Sequence, residues 1–407
     1  MPFSHFIQKR VAAPFCLLAA ILTIMLLVLS QPARAMNETI SYSFSGPDGA
    51  SPHSHLLRDP RTGSLYGITN SGGLGYGTIF KLSPPASAGG PWTETVLHKF
   101  DANDGEYPTC LIRDATGNLY GTTMYGGSSG QGVVFELAYS FKTKTYSFEQ
   151  LYNFTGKADG AQPVGLIRDK YGNLFGTAQE DGDGYGTLWE IDSTGFQVLY
   201  SFDSSASYPS SALAVDASGN LYVATTGGAY SEGAIFELEA SGSTKLLYSF
   251  RGYTSNDGSD PSSLLVLGDF VYGTTASGGP YGGGFGGGEL YRLSIKTGAY
   301  KVLHSFPAYA SDGSAPNSLI LANGSLFGTT SNGGFYDDPN CVKSGCGTVF
   351  QWMFKGSSET TLYEFAGQNG DGWTPQGSPV VDRDGNVYGT TWFGGANSDG
   401  SVFQLAP

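Results

Sequence analysis

The chain has few charged residues, which make up 14% of its 407 amino acids. Long solvent-exposed helices carry many charges on their outer faces, so this shortage disfavours a helical fold. Basic residues are fewest: 21 Lys and Arg stand against 35 Asp and Glu, for a net charge of −14. This acidic excess favours solubility, and it disfavours nucleic acids and anionic membranes as partners.

Two motifs of common enzyme classes are also missing. The sequence contains no phosphate-binding glycine loop of the G-x-x-x-x-G-K-[ST] type. Its single G-x-S-x-G string, at 126–130, is not followed by a helical pattern and is therefore not a nucleophile elbow. The pattern therefore points to no cofactor.

Residues 1–35 are the one segment with a long apolar run. Lys9 and Arg10 precede an apolar stretch over 11–29, and the segment ends in "QPARA", which fits a signal-peptidase site. We predict a secretory signal at 1–35 and no integral membrane domain after its cleavage. The alternative is an uncleaved anchor, because the run is nearly long enough to span a bilayer. Cleavage would remove three basic residues and change the net charge from −14 to about −17.

Glycine and aromatic residues are abundant. The chain contains 61 Gly, 25 Tyr and 25 Phe, and its glycine content is about double the usual share of roughly 7%. Many short strands joined by glycine turns fit this composition.

A motif resembling "NLYGTT" recurs seven times, and each copy is followed by a glycine three residues before an aromatic residue. The pairs are Gly77 and Phe80, Gly132 and Phe135, Gly186 and Trp189, Gly233 and Phe236, Gly288 and Tyr291, Gly347 and Phe350, and Gly400 and Phe403. The mean spacing is near 54 residues, which suits a four-stranded propeller blade and is slightly longer than the kelch repeat of roughly 50. The repeat predicts an all-β, seven-bladed β-propeller over residues 36–407.

The first and last units complete each other. The seventh unit ends after its third strand, whereas "ISYSF" at 40–44 matches the fourth strands "LLYSF" at 246–250 and "VLYSF" at 198–202. We therefore predict that the N-terminal strand closes the last blade, which leaves no open sheet edge.

The "NLYGTT–GG–GTVF" pattern resembles the tandem Gloeobacter/Verrucomicrobia (GloVer) repeat of secreted bacterial proteins over residues 40–407. The segment "VDASGNLYVAT" is also similar to propellers of the NHL and SMP-30 type. The resemblance implies a fold and an export route, but no established activity.

In a propeller, the loops that join the fourth strand to the next blade lie on the same face as those joining the second strand to the third. We call this the loop face. It carries a repeated "DGxxP" motif and many aromatic residues. Flat rings beside carboxylates are suited to sugar binding. The ligand contacts that we predict are Trp373, Trp392, Tyr336, Tyr281, Tyr125, Asp371, Asp312 and Asp104. The alternative is structural: the acids would hold turns and the rings would pack against their own loops.

Within this face, blades five to seven are the sector most favoured for binding. Their connections at 278–288 and 333–346 are the longest of their kind, and enlarged loops on a rigid scaffold often carry binding sites. The second of these contains Cys341 and Cys346, for which export predicts a disulfide. Cys110 is then an unpaired residue on an inner strand.

The innermost strands are the place where a channel enzyme would show itself. The two residues after each inner-strand proline are small and mostly neutral, as in Ser210 and Ser211. His53 and His55 lie on one side of a strand, but no second cluster completes a metal site. His98 and His304 fall on outer strands, which indicates a structural role. We therefore predict no catalytic residue and no metal ligand.

Three functions remain open from the sequence. The favoured hypothesis is a secreted, non-catalytic binding module for a polysaccharide or a cell-surface protein. The alternatives are a metal-assisted propeller hydrolase, lactonase or lyase, and a structural protein of the cell envelope.

Overall fold

A computed structural model describes residues 36–407 except 88, 181–183, 253–254, 281–286, 309–310, 335–340, 342–343 and 369. The leader predicted at 1–35 lies outside the described residues. Every regular element of the described part is a β-strand, and no helix in that part is long and apolar enough to cross a membrane.

The strands form seven antiparallel sheets arranged as the blades of a propeller. We call the strands of each blade A to D, starting from the central channel. Blade one contains β2 (Ala50–Pro52), β3 (Leu57–Arg58), β4 (Leu65–Ser71), β5 (Thr78–Ser83) and β6 (Thr93–Lys99). Blade two contains β7 (Glu106–Arg113), β8 (Leu119–Tyr125), β9 (Val133–Ser140) and β10 (Thr145–Asn153). Blade three contains β11 (Ala161–Arg168), β12 (Leu174–Glu180), β13 (Thr187–Asp192) and β14 (Gly195–Ser201).

Blades four to seven continue this order, with the first strand of the chain in the last blade. Blade four contains β15 (Pro209–Val215), β16 (Leu221–Thr225), β17 (Ala234–Leu238) and β18 (Thr244–Ser249), and blade five contains β19 (Gly258–Leu267), β20 (Phe270–Gly278), β21 (Glu289–Ser294) and β22 (Tyr300–Ser305). Blade six contains β23 (Ser314–Pro316), β24 (Ile320–Ala322), β25 (Ser325–Asn332), β26 (Thr348–Met353) and β27 (Ser358–Glu364). Blade seven contains β28 (Gly372–Val381), β29 (Val387–Gly394), β30 (Ser401–Ala406) and β1 (Asn37–Ser43).

Ring closure by the N-terminal strand is confirmed. Strand β1 pairs antiparallel with β30, so that Ile40 lies opposite Phe403 and Tyr42 opposite Val402. The next residue, Phe44, is fully buried. The first and last strands are therefore joined in one sheet, as predicted from the match among the fourth-strand sequences.

The hydrophobic core lies between neighbouring blades. One cluster joins Ile79 and Phe100 of blade one to Leu111 and Phe135 of blade two, and the remaining clusters follow the same plan around the ring. Each blade therefore buries its two faces against its two neighbours, so a single blade lacks the partners needed to bury its faces.

The glycine before each strand C lies against the following blade. A Cβ atom at any of the seven would fall 2.3–2.8 Å from the Cδ atom of the next blade's strand-A proline. The glycine and proline pairs are Gly77 and Pro108, Gly132 and Pro163, Gly186 and Pro209, Gly233 and Pro261, Gly288 and Pro316, Gly347 and Pro375, and Gly400 and Pro52. Only a residue without a side chain allows this contact.

The residue before that proline also joins the two blades. In every blade it has a φ of 53–56°, although it is not glycine. Its backbone N–H donates to the carbonyl oxygen of the residue before the partner glycine, at 2.8–3.1 Å. The seven residues are Ser51, Tyr107, Gln162, Tyr208, Asp260, Ala315 and Thr374. This left-handed conformation is uncommon outside glycine, and the interblade hydrogen bond supports it.

The glycine inside "YGTT" has a different role, within its own blade. A Cβ atom at Gly176 would lie 2.1 Å from the Trp189 ring, and one at Gly121 would lie 2.3 Å from the Phe135 ring. The strand-C aromatic residue therefore lies over the strand-B glycine, which has no side chain to block it. Blade four has Val223 at this position, opposite Phe236.

The structure joins Cys341 to Cys346 by a disulfide with a Cα–Cα distance of 5.2 Å. Cys110 is a free, buried cysteine, and burial raises the pKa of its thiol to about 12. A neutral, buried thiol reacts slowly with alkylating agents because the thiolate is the nucleophile.

Alkylation should therefore report all three cysteines of residues 36–407. We expect no alkylated thiol in the folded, unreduced protein, and one, Cys110, after denaturation without a reductant. Reduction should release the other two. Peptide mapping by mass spectrometry measures the result, and three reactive thiols before reduction would show that the disulfide does not form.

Candidate ligand-binding face

The seven A strands enclose a central channel whose lining is small and neutral. The described lining forms a cavity of about 430 Å³ that contains hydroxyl and amide groups, including Thr109, Ser262, Asn317 and Gln376. Aspartate, glutamate, lysine and arginine do not occur among its lining residues. The described lining can therefore offer hydrogen bonds, but it brings no carboxylate for acid–base chemistry.

Two histidines line the same cavity. Burial and the proximity of His55 lower the pKa of His53 to about 4. Burial likewise lowers the pKa of His55, although a backbone hydrogen bond at Leu111 acts to raise it. Both imidazoles are therefore neutral at pH 7, and the Nδ1 atom of His53 has no hydrogen-bond partner among the described residues.

A row of aromatic rings leads from the loop face toward this channel. Trp373 of β28 lies opposite Phe393 of β29, and their rings stack with centroids 4.3 Å apart and planes 22° apart. The Phe393 ring is 5.9 Å from the Trp392 ring at an angle of 19°. Trp392 in turn lies 6.0 Å from the imidazole of channel residue His53. We call Trp373, Phe393 and Trp392 the aromatic row.

The aromatic row is accessible from solvent. Phe393 is 36% exposed, and the two tryptophans are half-buried. Trp373 and Trp392 were both predicted as ligand contacts, and the structure brings them together through Phe393. Phe393 was not among the predicted contacts, and its ring is the link between the two tryptophans.

Other exposed rings of the loop face lie in blades two and four. Tyr125 was a predicted contact; it is 37% exposed and meets Tyr107 edge to face at 6.0 Å. Tyr208 and Tyr230 of blade four are 45% and 53% exposed. The predicted contacts Tyr281 and Tyr336 lie outside the described residues.

Tyr107 and Tyr208 were missed by the sequence reasoning. Both stand directly before a strand-A proline, in the left-handed position that every blade shares. The sequence signal that could have identified them is that the residue type before the strand-A proline varies from blade to blade, whereas the rest of the repeat is regular. The usual preference of a pre-proline residue is extended backbone, so its conformation was not predictable.

The three predicted aspartates hold their own loops. The Oδ2 atom of Asp104 is 2.9 Å from the Nε2 atom of His98, and the Oδ2 atom of Asp312 is 3.2 Å from the Nε2 atom of His304. Asp371 accepts a hydrogen bond from the backbone N–H of Ala366 at 2.6 Å. The "DGxxP" acids thus link strand D to the loop that follows it, in agreement with the structural alternative.

Asp371 keeps one oxygen without a partner among the described residues. Burial raises the pKa of its carboxyl group, and Tyr363 donates a hydrogen bond to its other oxygen at 3.3 Å. Asp371 is two residues from Trp373, at the start of the same strand region. Of the three acids, it is therefore the one nearest in sequence to the aromatic row.

Several solved structures share this fold at low sequence identity. The extracellular domain of BT4673 from B. thetaiotaomicron is 12% identical with a TM-score of 0.55; the match covers 93% of this chain and 42% of that one. PorZ, a surface component of the type-IX secretion system of Porphyromonas gingivalis, is 11% identical with a TM-score of 0.52, covering 90% and 48% of the two chains. Oligogalacturonate lyase from Vibrio parahaemolyticus is 10% identical with a TM-score of 0.58, covering 91% and 93%.

These likenesses concern the fold alone, because function depends on the site that a fold carries. The chain spans less than half the length of the BT4673 domain and of PorZ. No match was found among curated proteins.

Family membership rests on the repeats themselves. The Gloeobacter/Verrucomicrobia repeat matches residues 30–226, 95–285, 204–339 and 270–407. These overlapping matches extend over all seven blades, including the "YGTT" glycines and the glycines that lie against the next blade's prolines. The chain therefore belongs to the Gloeobacter/Verrucomicrobia repeat family.

Proposed function

We propose that the protein is a non-catalytic binding module that holds a glycan chain on its loop face, on the aromatic row of blade seven. The observation that carries this proposal is the parallel set of three accessible rings, Trp373, Phe393 and Trp392. Aromatic faces bind the apolar faces of sugar rings. The leader predicted at 1–35 supports a site of action outside the cytoplasm.

The chemistry of the channel mouth supports the same proposal. Beyond Trp392, the channel offers neutral hydroxyl, amide and imidazole groups, which suit the hydroxyl groups of a neutral saccharide. We propose no catalytic step, because the described channel lining brings no carboxylate beside its two histidines. Acid–base or metal chemistry in the channel would need a larger set of converging titratable groups than these two histidines supply.

Substitution in the aromatic row should weaken glycan binding while the fold is maintained. The purified protein would first be screened against soluble polysaccharides, and the best ligand titrated calorimetrically. We expect Trp392→Ala and Phe393→Ala each to lower affinity about tenfold or more, since the loss of a stacking residue that is a binding hot spot costs about 1–3 kcal/mol. Both rings are partly exposed, so the melting temperature should change little.

Tyr171→Ala is the matched control for this experiment. Tyr171 is 78% exposed and lies in an A–B turn, on the face opposite the aromatic row. Its substitution should leave affinity unchanged. The proposal fails if no polysaccharide binds, or if the Tyr171 variant loses as much affinity as the aromatic-row variants.

A further inference from the structure

The outer strands carry a repeated contact between neighbouring blades. Each strand D is followed by a buried phenylalanine, and the residue two positions before this phenylalanine is a tyrosine or a histidine. In six blades this tyrosine or histidine is hydrogen-bonded to an aspartate of the next loop. The pairs are Tyr42 and Asp48, His98 and Asp104, Tyr152 and Asp159, Tyr248 and Asp257, His304 and Asp312, and Tyr363 and Asp371.

In three of these places an aromatic ring of the next blade covers the tyrosine or histidine. Phe148 stacks on His98 at 4.1 Å, with planes 6° apart. Phe196 covers Tyr152 at 3.7 Å, and Tyr300 covers Tyr248 at 4.7 Å. All three covering residues stand six positions before the phenylalanine that follows their own strand D. An imidazole under a phenyl ring has no further polar group facing it from that side.

The groove between blades five and six differs at this position. The residue six positions before Phe365 is Glu359, which places a carboxylate where blade two has Phe148. One ligand atom each from His304, Asp312 and Glu359 lies within 4.8 Å of the others. These groups come from β22, from the loop after it and from β27, so the cluster depends on the assembled fold.

The spacing of the cluster suits a small divalent cation. Tetrahedral zinc holds nitrogen and oxygen ligands at about 2.0–2.2 Å, which separates the ligand atoms by about 3.3 Å. The His304 Nε2 and Asp312 Oδ2 atoms already lie 3.2 Å apart, and a side-chain rotation of Glu359 would bring the third ligand in. The side chains of His304 and Asp312 are 22% and 26% exposed, so water can reach the remaining coordination position.

The electrostatics of the groove also favour a cation. Asp312 lies close enough to Glu359 and to Glu364 for the carboxylates to repel one another. Three carboxylates therefore surround one imidazole, and a bound divalent cation would offset their mutual repulsion.

We propose that His304, Asp312 and Glu359 form a binding site for a divalent transition-metal cation, of which zinc is the suitable probe. The ion links strand D of blade five to strand D of blade six. This site assigns His304 a role beyond the structural one expected from its position in the sequence. It lies outside the channel and does not depend on the glycan proposal.

Zinc titration of the EDTA-treated, purified protein tests the site. We expect about one equivalent of zinc to bind at pH 7.5, with a rise in melting temperature, because the ion binds the folded state. His304→Tyr should lower zinc affinity at least tenfold, and it is expected to fold because tyrosine stands at this position in five other blades. Glu359→Gln should have the same effect while preserving the size of the side chain.

The repeat offers a matched control for each variant. His98→Tyr makes the same histidine-to-tyrosine change beside Phe148. Glu94→Gln makes the same glutamate-to-glutamine change in the groove where Tyr42 stands in place of the histidine. Neither variant should alter zinc binding. Replacing His53 and His55 by alanine tests the channel as a competing site. The proposal is overturned if zinc fails to bind, or if it binds equally well to the His304 and Glu359 variants. Loss of zinc binding in the channel variant alone also overturns it.

Discussion

Deletion of residues 36–45 is expected to prevent the protein from folding as a stable monomer. The deletion removes β1, so blade seven keeps three strands and β30 becomes an open edge. It also removes Phe44, which is fully buried against Phe80 of blade one. Losing a buried phenylalanine costs about 3–5 kcal/mol, and the lost ladder hydrogen bonds add about 0.5–1.5 kcal/mol each.

This total is comparable with the whole stability of a typical domain, about 5–15 kcal/mol. The exposed edge of β30 should also pair with other molecules and cause aggregation. Size-exclusion chromatography with light scattering and a thermal melt measure both effects. A synthetic peptide of residues 36–46 should restore the monomer by adding the missing strand. A deletion variant that stays monomeric with an unchanged melting temperature would contradict closure by β1.

The second large effect is expected for Gly132→Ala. Gly132 has a φ of +97°, and a Cβ atom there would lie 2.3 Å from the carbonyl oxygen of Thr123 and 2.5 Å from Cδ of Pro163. Strained backbone costs about 1–3 kcal/mol, and overpacking costs a further 1–3 kcal/mol or so. We therefore expect the free energy of unfolding to fall by about 4 kcal/mol, measured by urea denaturation followed by circular dichroism.

Gly130→Ala is the internal control for that substitution. Gly130 lies in the same loop with a φ of +72°, but a Cβ atom there would have no heavy atom within 4 Å. Only the backbone cost of about 1–2 kcal/mol should remain. Equal destabilisation by the two alanines would contradict the view that position 132 requires glycine because of its contact with the next blade's proline.

The repeated features were predictable from the sequence because each is a local pattern written seven times. "YGTT" and the glycine before Phe80, Phe135 and their equivalents predicted the number of blades. The match between "ISYSF" and the other fourth strands predicted that β1 completes the last blade. Local turn chemistry also suggested that the "DGxxP" aspartates hold their loops, as the contacts of Asp104 and Asp312 show.

Contacts between blades were not predictable, because their partners lie about half a repeat or more apart in the chain. Nothing near Gly132 in the sequence indicates that Pro163 packs on it, and the positive φ of Tyr107 contradicts the usual preference before proline. The aromatic row depends on the pairing of β28 with β29, which brings Trp373 against Phe393.

The sequence alone therefore determined the propeller, its seven blades and its closure, because hydrophobic and glycine patterns act locally and repeat. Only the tertiary structure decided which side chains meet: His98 meets Phe148, whereas the equivalent His304 lies beside Glu359. The difference arises because a strand-D side chain faces the neighbouring blade, so its chemical surroundings depend on a residue of the next repeat.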